Sequence, residues 1–287
     1  MHPRVISKVI GRSLVSWFKD DAPSMGAAIA FYTLFSIAPI LLIVIWVASS
    51  FIAPDAVQAH VLTQIKLVLG DTGAAAVRTI LVGMRSAVDR GYSTEISIVT
   101  LVIGATSVFA ELRNALNRIW RTARPEGHQG LWQAVRDRLL SFGLVLCVGF
   151  LLLVSLVISA SLQAFGGWLG TVMANWETVV LVLDFVLGFL IATLLFALIY
   201  KFVPRERIAW SDVWVGAVVT ASLFTVGKLI IVIYFGRVAI ASVYGAAGSF
   251  LVLMLWVYYS AQIFLLGAEF THNYAYEHGS RRVRDAG

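Results

Sequence analysis

VVLVLDFVLGFLIATLLFALIY, residues 179–200, holds a single charged residue, Asp184, in 22 positions. A helix rises about 1.5 Å per residue, so this stretch would be about 33 Å long and would cross a ~30 Å hydrocarbon core. Lipid offers no partners to backbone N–H and C=O groups, so a segment in that setting must close its hydrogen bonds internally as a helix. The same texture recurs on both sides, at 27–52, 96–110, 139–162, 213–235 and 246–268. Five of these six stretches have the required length, and 96–110 reaches it only by continuing as a polar helix to Trp120. The pattern predicts an all-α integral membrane protein with six transmembrane helices plus amphipathic interfacial helices.

Composition agrees. The chain is 59% hydrophobic and 13% charged, against roughly 45–50% and 25% in ordinary soluble domains. A net charge of +6 would suggest nucleic acid for a soluble protein. Here the basic residues flank the apolar stretches, which points to membrane lipids with anionic head groups and away from nucleic acid. Cys147 is the only cysteine, so no internal disulfide can form, and among Leu146, Val148 and Phe150 it reads as a packing residue. Residues 1–21 lack an uninterrupted apolar core and a small-residue cleavage site, so they do not read as a signal peptide.

Orientation follows from the basic residues. Arg4, Lys8, Arg12 and Lys19 precede the first span. Arg113, Arg118, Arg121, Arg124, Arg136 and Arg138 lie between the second and third. Lys201, Arg205 and Arg207 lie between the fourth and fifth, and Arg281, Arg282 and Arg284 are in the tail. The loop at 163–178 has neither Lys nor Arg. The positive-inside rule then places both termini in the cytoplasm. The organisation expected is an amphipathic cytoplasmic segment at 1–21, a six-span domain at 22–273 and a basic cytoplasmic tail at 274–287.

Two regions outside the spans are patterned. Val5, Ile6, Val9, Ile10, Leu14, Trp17 and Phe18 recur at helical spacing opposite Arg4, Lys8, Arg12 and Lys19, as in a helix lying in the membrane interface. The periplasmic loop at about 53–94 carries one stripe of Val57, Val61, Ile65 and Val68 and another of Val77, Ile80, Leu81, Met84 and Val88. Gly70 and Gly73 between the stripes suggest a break, hence two helices. Pro39 predicts a kink in the first span, and Ser211 is the expected N-cap of the fifth, with Asp212 at its positive end.

Enzyme chemistry finds little support. The histidines His2, His60, His128, His272 and His278 form no HExxH and no closely spaced acid–histidine cluster, and no phosphate-binding glycine loop is present. No catalytic, cofactor-binding or metal-ligating residue is expected. The ionisable residues within the spans carry more information, because each costs about 2.5 kcal/mol or more at mid-helix unless compensated. Asp184 and Lys228 lie about 8 and 10 Å from the outer ends of consecutive antiparallel spans, a depth that suits either an ion pair or separate snorkelling to the interface. Glu111, Arg113, Lys201 and Glu269 gather by depth near the cytoplasmic ends, with Arg118 on the polar face of the second span. Tyr32 and Ser36 from span 1, Asn114 from span 2, and Tyr259 and Gln262 from span 6 are the candidate wall of a polar pathway, with Arg113 and Arg118 at its cytoplasmic mouth. Hydrogen-bonded contact between helices is the other reading of the same residues.

Three segments carry a resemblance. Ala27-Ala28-Ile29-Ala30-Phe31-Tyr32-Thr33-Leu34-Phe35-Ser36-Ile37-Ala38-Pro39 is similar to the first-span signature of the YihY/BrkB family of bacterial inner-membrane proteins. Val203-Pro204, Trp210-Ser211-Asp212-Val213 and Gly216-Ala217 resemble its junction between the fourth and fifth spans. Tyr244-Gly245-Ala246-Ala247-Gly248-Ser249, Leu255-Trp256 and Leu265-Leu266-Gly267-Ala268-Glu269 resemble its last span. The likeness runs over 20–273. It implies a multi-pass protein of the bacterial inner membrane. The family has carried a tRNA-processing ribonuclease label regarded as a misassignment and a virulence label connected with serum resistance, and some members are linked to translocation of envelope lipids. It carries over no agreed catalytic residue.

The function expected is transport or translocation of a lipid-like or other amphiphilic envelope substrate, or of a small solute. The alternative is a scaffolding protein of the cell envelope, and a membrane-bound ribonuclease comes last. A homo-oligomer and envelope partner proteins both remain open.

Overall fold

The computed structural model describes residues 3–50, 53–89, 94–122, 176–237 and 246–281, together with helical positions at 143, 150, 151 and 154. Among the described residues the chain is all helical. The helices are α1 (Pro3–Lys19), α2 (Ala22–Ala48), α3 (Pro54–Asp89), α4 (Thr94–Ile119), α5 (Trp176–Phe202), α6 (Trp210–Arg237) and α7 (Ala246–Glu277). They coincide with the first, second, fourth, fifth and sixth apolar stretches and with the two patterned regions. Apart from the four helical positions at 143, 150, 151 and 154, the third stretch lies outside the described residues, as do the 163–175 part of the following loop and Cys147.

Stretches 185–202, 210–231 and 250–277 within α5, α6 and α7 are long and apolar enough to cross a membrane. Their outward faces carry Val182, Phe185, Leu190, Val226, Leu229, Ile230 and Leu255. An apolar surface of this extent suits lipid and not water.

α7 is the centre of the assembly. It packs most extensively on α6 and α2, then on α1 and α3, while α2 packs on α4 and α5 on α6. One core joins Met25 and Ile29 of α2, Leu116 and Ile119 of α4, Tyr200 of α5, Ala217 of α6 and Phe264, Leu265 and Ala268 of α7. A second joins Ala30, Leu34 and Ile45 of α2 with Val57, Val77 and Leu81 of α3 and Leu253 and Val257 of α7.

The region at 53–94 departs from expectation. It forms one helix through Gly70 and Gly73, not two. A glycine in a helix interior costs only about 1 kcal/mol relative to alanine. Both predicted stripes reach the second core, Val57 from one and Val77 and Leu81 from the other, and that shared burial outweighs the glycine cost. α2 stays helical through Pro39.

The α6–α7 contact has a reciprocal design. Each helix carries Gly-x-x-x-Thr: Gly216 and Thr220 on α6, Gly267 and Thr271 on α7. A Cβ at Gly216 would overlap the Thr271 hydroxyl, and one at Gly267 would overlap those of Thr220 and Tyr200. Each threonine donates to the carbonyl of its own glycine, both at 2.7 Å. The small residues thus allow close approach while the hydroxyls are satisfied within their own helices. Tyr200 of α5 completes the joint. Its hydroxyl donates to the Phe264 carbonyl at 2.8 Å and lies 3.0 Å from the Thr220 hydroxyl.

Candidate functional site at the junction of α1, α4 and α7

Glu269 projects from α7 on a different side from Gly267 and Thr271, and it is fully buried. Among the described residues neither carboxylate oxygen accepts from an N–H donor or a hydroxyl, and the Asp20 carboxyl lies within hydrogen-bonding reach of it. The charges that act on it are Asp20, from the turn between α1 and α2, and Arg121, just past α4. Asp20 is a like charge and Arg121 an opposite one. His272 is one helical turn further along α7, within reach of the same two residues and of Arg281. Its ring meets Trp120 edge-on at 5.1 Å and Tyr276 at 4.8 Å, while buried Nδ1 has no hydrogen-bond partner among the described residues. Trp17 Nε1 on α1 and Thr122 Oγ1 after α4 are also buried without hydrogen-bond partners among the described residues.

Buried polar atoms are nearly always hydrogen-bonded, so a group of exceptions needs a reason. Here they come from three elements that meet at one end of the bundle. Two backbone positions fold the connectors inward there, since Asp21 (φ 58°) and Arg121 (φ 49°) both adopt left-handed conformations. Non-glycine residues enter that region rarely, Asn and Asp most readily, so Arg121 is the more unusual of the two.

The rim of the junction is tied by ordinary contacts. Asn273 donates to the Glu269 carbonyl at 2.9 Å and lies 3.5 and 3.4 Å from the hydroxyls of Ser13 and Ser16 on α1. Arg12 of α1 bonds Glu277 of α7. Arg281 bonds Glu206 and Tyr276 and lies over the Trp120 ring at 5.5 Å. Burial pulls the Arg281 pKa down, but those two hydrogen bonds outweigh it and hold it above arginine's ordinary value. Asp212 of α6 is almost fully buried and receives the Ser280 N–H at 3.2 Å and its hydroxyl at 2.6 Å.

The expected N-cap at Ser211 shifts accordingly. α6 begins at Trp210, and the Ala209 carbonyl receives the Asp212 and Val213 amides. Ser211 donates to Asp212, whose carboxylate serves the chain after α7.

The residues proposed from sequence separate. Gln262 faces α2, with its amide nitrogen 3.5 and 3.4 Å from the Ala22 and Pro23 carbonyls, over Gly26. Its oxygen is buried without a partner. Tyr259 faces α6, where a Cβ on Gly227 would meet its ring. Ser36 is fully buried on α2, whereas Tyr32 is exposed and stacks edge-on with Phe31. Asn114 is exposed and lies 3.4 Å from Glu111, one turn away. These five residues therefore do not share one wall.

The ionisable set separates too. Lys201 donates to the Ile208 carbonyl and lies 5.3 Å from the centre of the Trp210 ring, so it joins α5 to α6 and not to Glu269. Arg113 is partly buried, Arg118 is exposed and Lys228 is partly buried. The Asp184 side chain lies outside the described residues, and the proposed pair with Lys228 falls there with it.

His272 corrects the sequence reading that no acid and histidine are closely spaced. Its spacing of three from Glu269 places both on one helical face, and that spacing was the available signal. Trp17, Asp20, Arg121 and Thr122 had none, because only tertiary packing gathers them. Among the described residues no three His, Cys, Asp or Glu side chains are grouped to hold a metal ion.

All-helical structure, outward apolar faces and a buried polar junction define an α-helical membrane protein. Residues 14–286 match the family described as Virulence factor BrkB, and the chain belongs to it. A UPF0761 membrane protein of Nitrosospira multiformis is 28% identical over 265 residues, covering 89% of this chain and 58% of its own length. One from Ralstonia nicotianae is 28% identical over 256 residues, covering 87% and 55%. One from Verminephrobacter eiseniae is 31% identical over 176 residues, covering 60% and 39%. The chain thus spans between about two fifths and little more than half the length of these curated relatives. No solved structure matches it.

Proposed function

We propose that this protein moves an anionic, lipid-like amphiphile or a small solute across or within the bacterial inner membrane, with the α1–α4–α7 junction binding the polar part of the cargo. The observation that carries this reading is Glu269, a fully buried carboxyl that has no N–H or hydroxyl donor among the described residues and faces the Asp20 carboxyl, beside His272 Nδ1, Trp17 Nε1 and Thr122 Oγ1, which are buried without hydrogen-bond partners among those residues. Ionisable groups inside membrane proteins are costly and by default mark substrate or proton pathways. Arg121 and Arg118, both exposed, stand near the rim as anchors for a phosphate, which a guanidinium engages in bidentate fashion.

The reading includes six spans, cytoplasmic termini and a periplasmic α3. Water-soluble thiol reagents acting on Gly170→Cys in a Cys147→Ser background check this. Labelling from the periplasmic side supports it, and labelling only from the cytoplasm refutes it.

We further propose that no covalent chemistry is involved. Protein purified free of contaminants should leave RNA intact with Mg²⁺, Mn²⁺ or Zn²⁺. Cleavage that a single carboxylate or histidine substitution abolishes would restore the nuclease reading.

The transport test is reconstitution into vesicles containing a fluorescent phosphatidylglycerol, followed by reduction from outside. Translocation empties the protected inner-leaflet pool faster than in protein-free vesicles. Unchanged protection, together with no flux of a polar solute, favours the scaffold reading. That second reading has its own support in the close α6–α7 interlock through Gly216 and Gly267.

A further inference from the structure

We propose that α1 is a lipid-recognition helix, seated on the bilayer surface through Ile10, Leu14, Val15 and Phe18 and selective for anionic lipid through Lys8 and Lys19. The inference is independent of transport, since it holds for a scaffold as well.

The sequence alone divides α1 into one apolar and one basic side, but the structure divides it into three. At about 100° per residue, Val9, Ser13, Ser16 and Trp17 fall on one arc, and these face protein. Val9 and Ser13 are buried, and Ser13 and Ser16 lie beside Asn273 of α7. Ile10, Leu14 and Phe18 follow on the next arc with Val15 at its far edge. All four are exposed, Val15 at 68% and Phe18 at 70%. Lys8, Lys19 and Arg12 occupy the third arc, adjoining Val15, and are also exposed. The α7-facing arc therefore uses only part of the apolar surface that the sequence provides.

A contiguous exposed apolar strip marks an interaction surface, and the cationic arc beside it selects the partner. Helices with an apolar face and an adjacent Lys/Arg edge lie in the interface of anionic membranes. Each basic residue there adds attraction to an anionic surface. Position supports the same occupant. α1 joins α2 through only Asp20 and Asp21, and α2 presents Phe31 and Phe35 outward soon afterwards, at 52% and 65% exposure. The exposed strip of α1 therefore adjoins the lipid-facing surface of the bundle. Arg12, bonded to Glu277, ties this seat to the end of α7.

The test uses the full chain in nanodiscs, in a Cys147→Ser background. An environment-sensitive fluorophore is placed at Phe18→Cys or Leu14→Cys, with Arg207→Cys as an exposed loop control. Spin-labelled phosphatidylglycerol and spin-labelled phosphatidylcholine are compared as quenchers at equal mole fraction. Quenching at positions 14 and 18 should exceed that at 207 several-fold. It should be at least two-fold stronger with the anionic lipid, and Lys8→Gln with Lys19→Gln should bring that ratio close to one while quenching persists. Quenching at 18 no greater than at 207 overturns the proposal, as does a ratio of one with Lys8 and Lys19 intact. Label self-quenching that rises with protein density would assign the strip to a second copy instead, and also overturns it.

Discussion

Two sides of α7, separated by only two residues in sequence, are built on opposite principles. Toward α6 and α5, Gly267 and Thr271 interlock with Gly216 and Thr220, and the Tyr200, Thr220 and Thr271 hydroxyls all have partners. Toward α1 and α4, Glu269 is fully buried, and it and the half-buried His272, Trp17 and Thr122 each bury a polar atom that has no donor or acceptor partner among the described residues. A helix that needed only to be stable would satisfy both sides. The contrast assigns cohesion to the first side and, on the reading proposed here, cargo binding to the second.

If the two sides differ in this way, substitutions should divide between folding and function. The largest loss of stability should come from Gly267→Val, which forces branched carbons into Thr220 and Tyr200. Overpacking of this kind typically costs about 1–3 kcal/mol, and the Thr220 Cβ, 2.9 Å from where the added carbon would sit, leaves little room for relief. Thermal unfolding in detergent should show a drop of many degrees or failure to fold. A Tm within a degree of the parent protein would remove the interlock from the account.

Asp212→Ala should come next. It strips the Ser280 amide and hydroxyl of their acceptor, and an orphaned donor of this sort costs about 1–3 kcal/mol. The expected sign is faster proteolytic trimming after Glu277 together with a lower Tm, and unchanged trimming would show that the tail is held by other contacts. Tyr200→Phe should follow at about 1 kcal/mol, since it removes one hydroxyl and leaves the ring stacked near Phe264 at 5.2 Å. Arg12→Gln should be smallest, because exposed ion pairs contribute about 0–1 kcal/mol. A large loss there would mean that α1 is held to α7 mainly by that pair.

The sequence carried the fold further than the site. Apolar runs of the right length located α2, α4, α5, α6 and α7, because in lipid a long apolar segment has one structural outcome. Helical spacing located α1 and α3. The break at Gly70 and Gly73 was misplaced because a local glycine penalty was weighed without the burial of Val57, Val77 and Leu81. For the site, the burial of Glu269 was legible from its apolar approach, whereas His272 was missed although its spacing of three from Glu269 was there to read. The polar-wall set was not, because Tyr259 and Gln262 lie three residues apart yet face α6 and α2, a distinction that needs the neighbouring helices in place. Asp20, Arg121 and Thr122 sit at helix ends, and left-handed turns at Asp21 and Arg121 aim those ends. Such turns leave no hydropathy signal.

The most direct test of the contrast is the translocation rate of Glu269→Gln in reconstituted vesicles, measured alongside its Tm. Glutamine keeps the shape and cannot carry the charge, and since Asp20 opposes that charge while Arg121 offsets it, its loss is expected to leave stability equal or higher. The account predicts at least a ten-fold loss of translocation with Tm unchanged or raised. A variant that unfolds like Gly267→Val, or one that moves cargo at the parent rate, would contradict it.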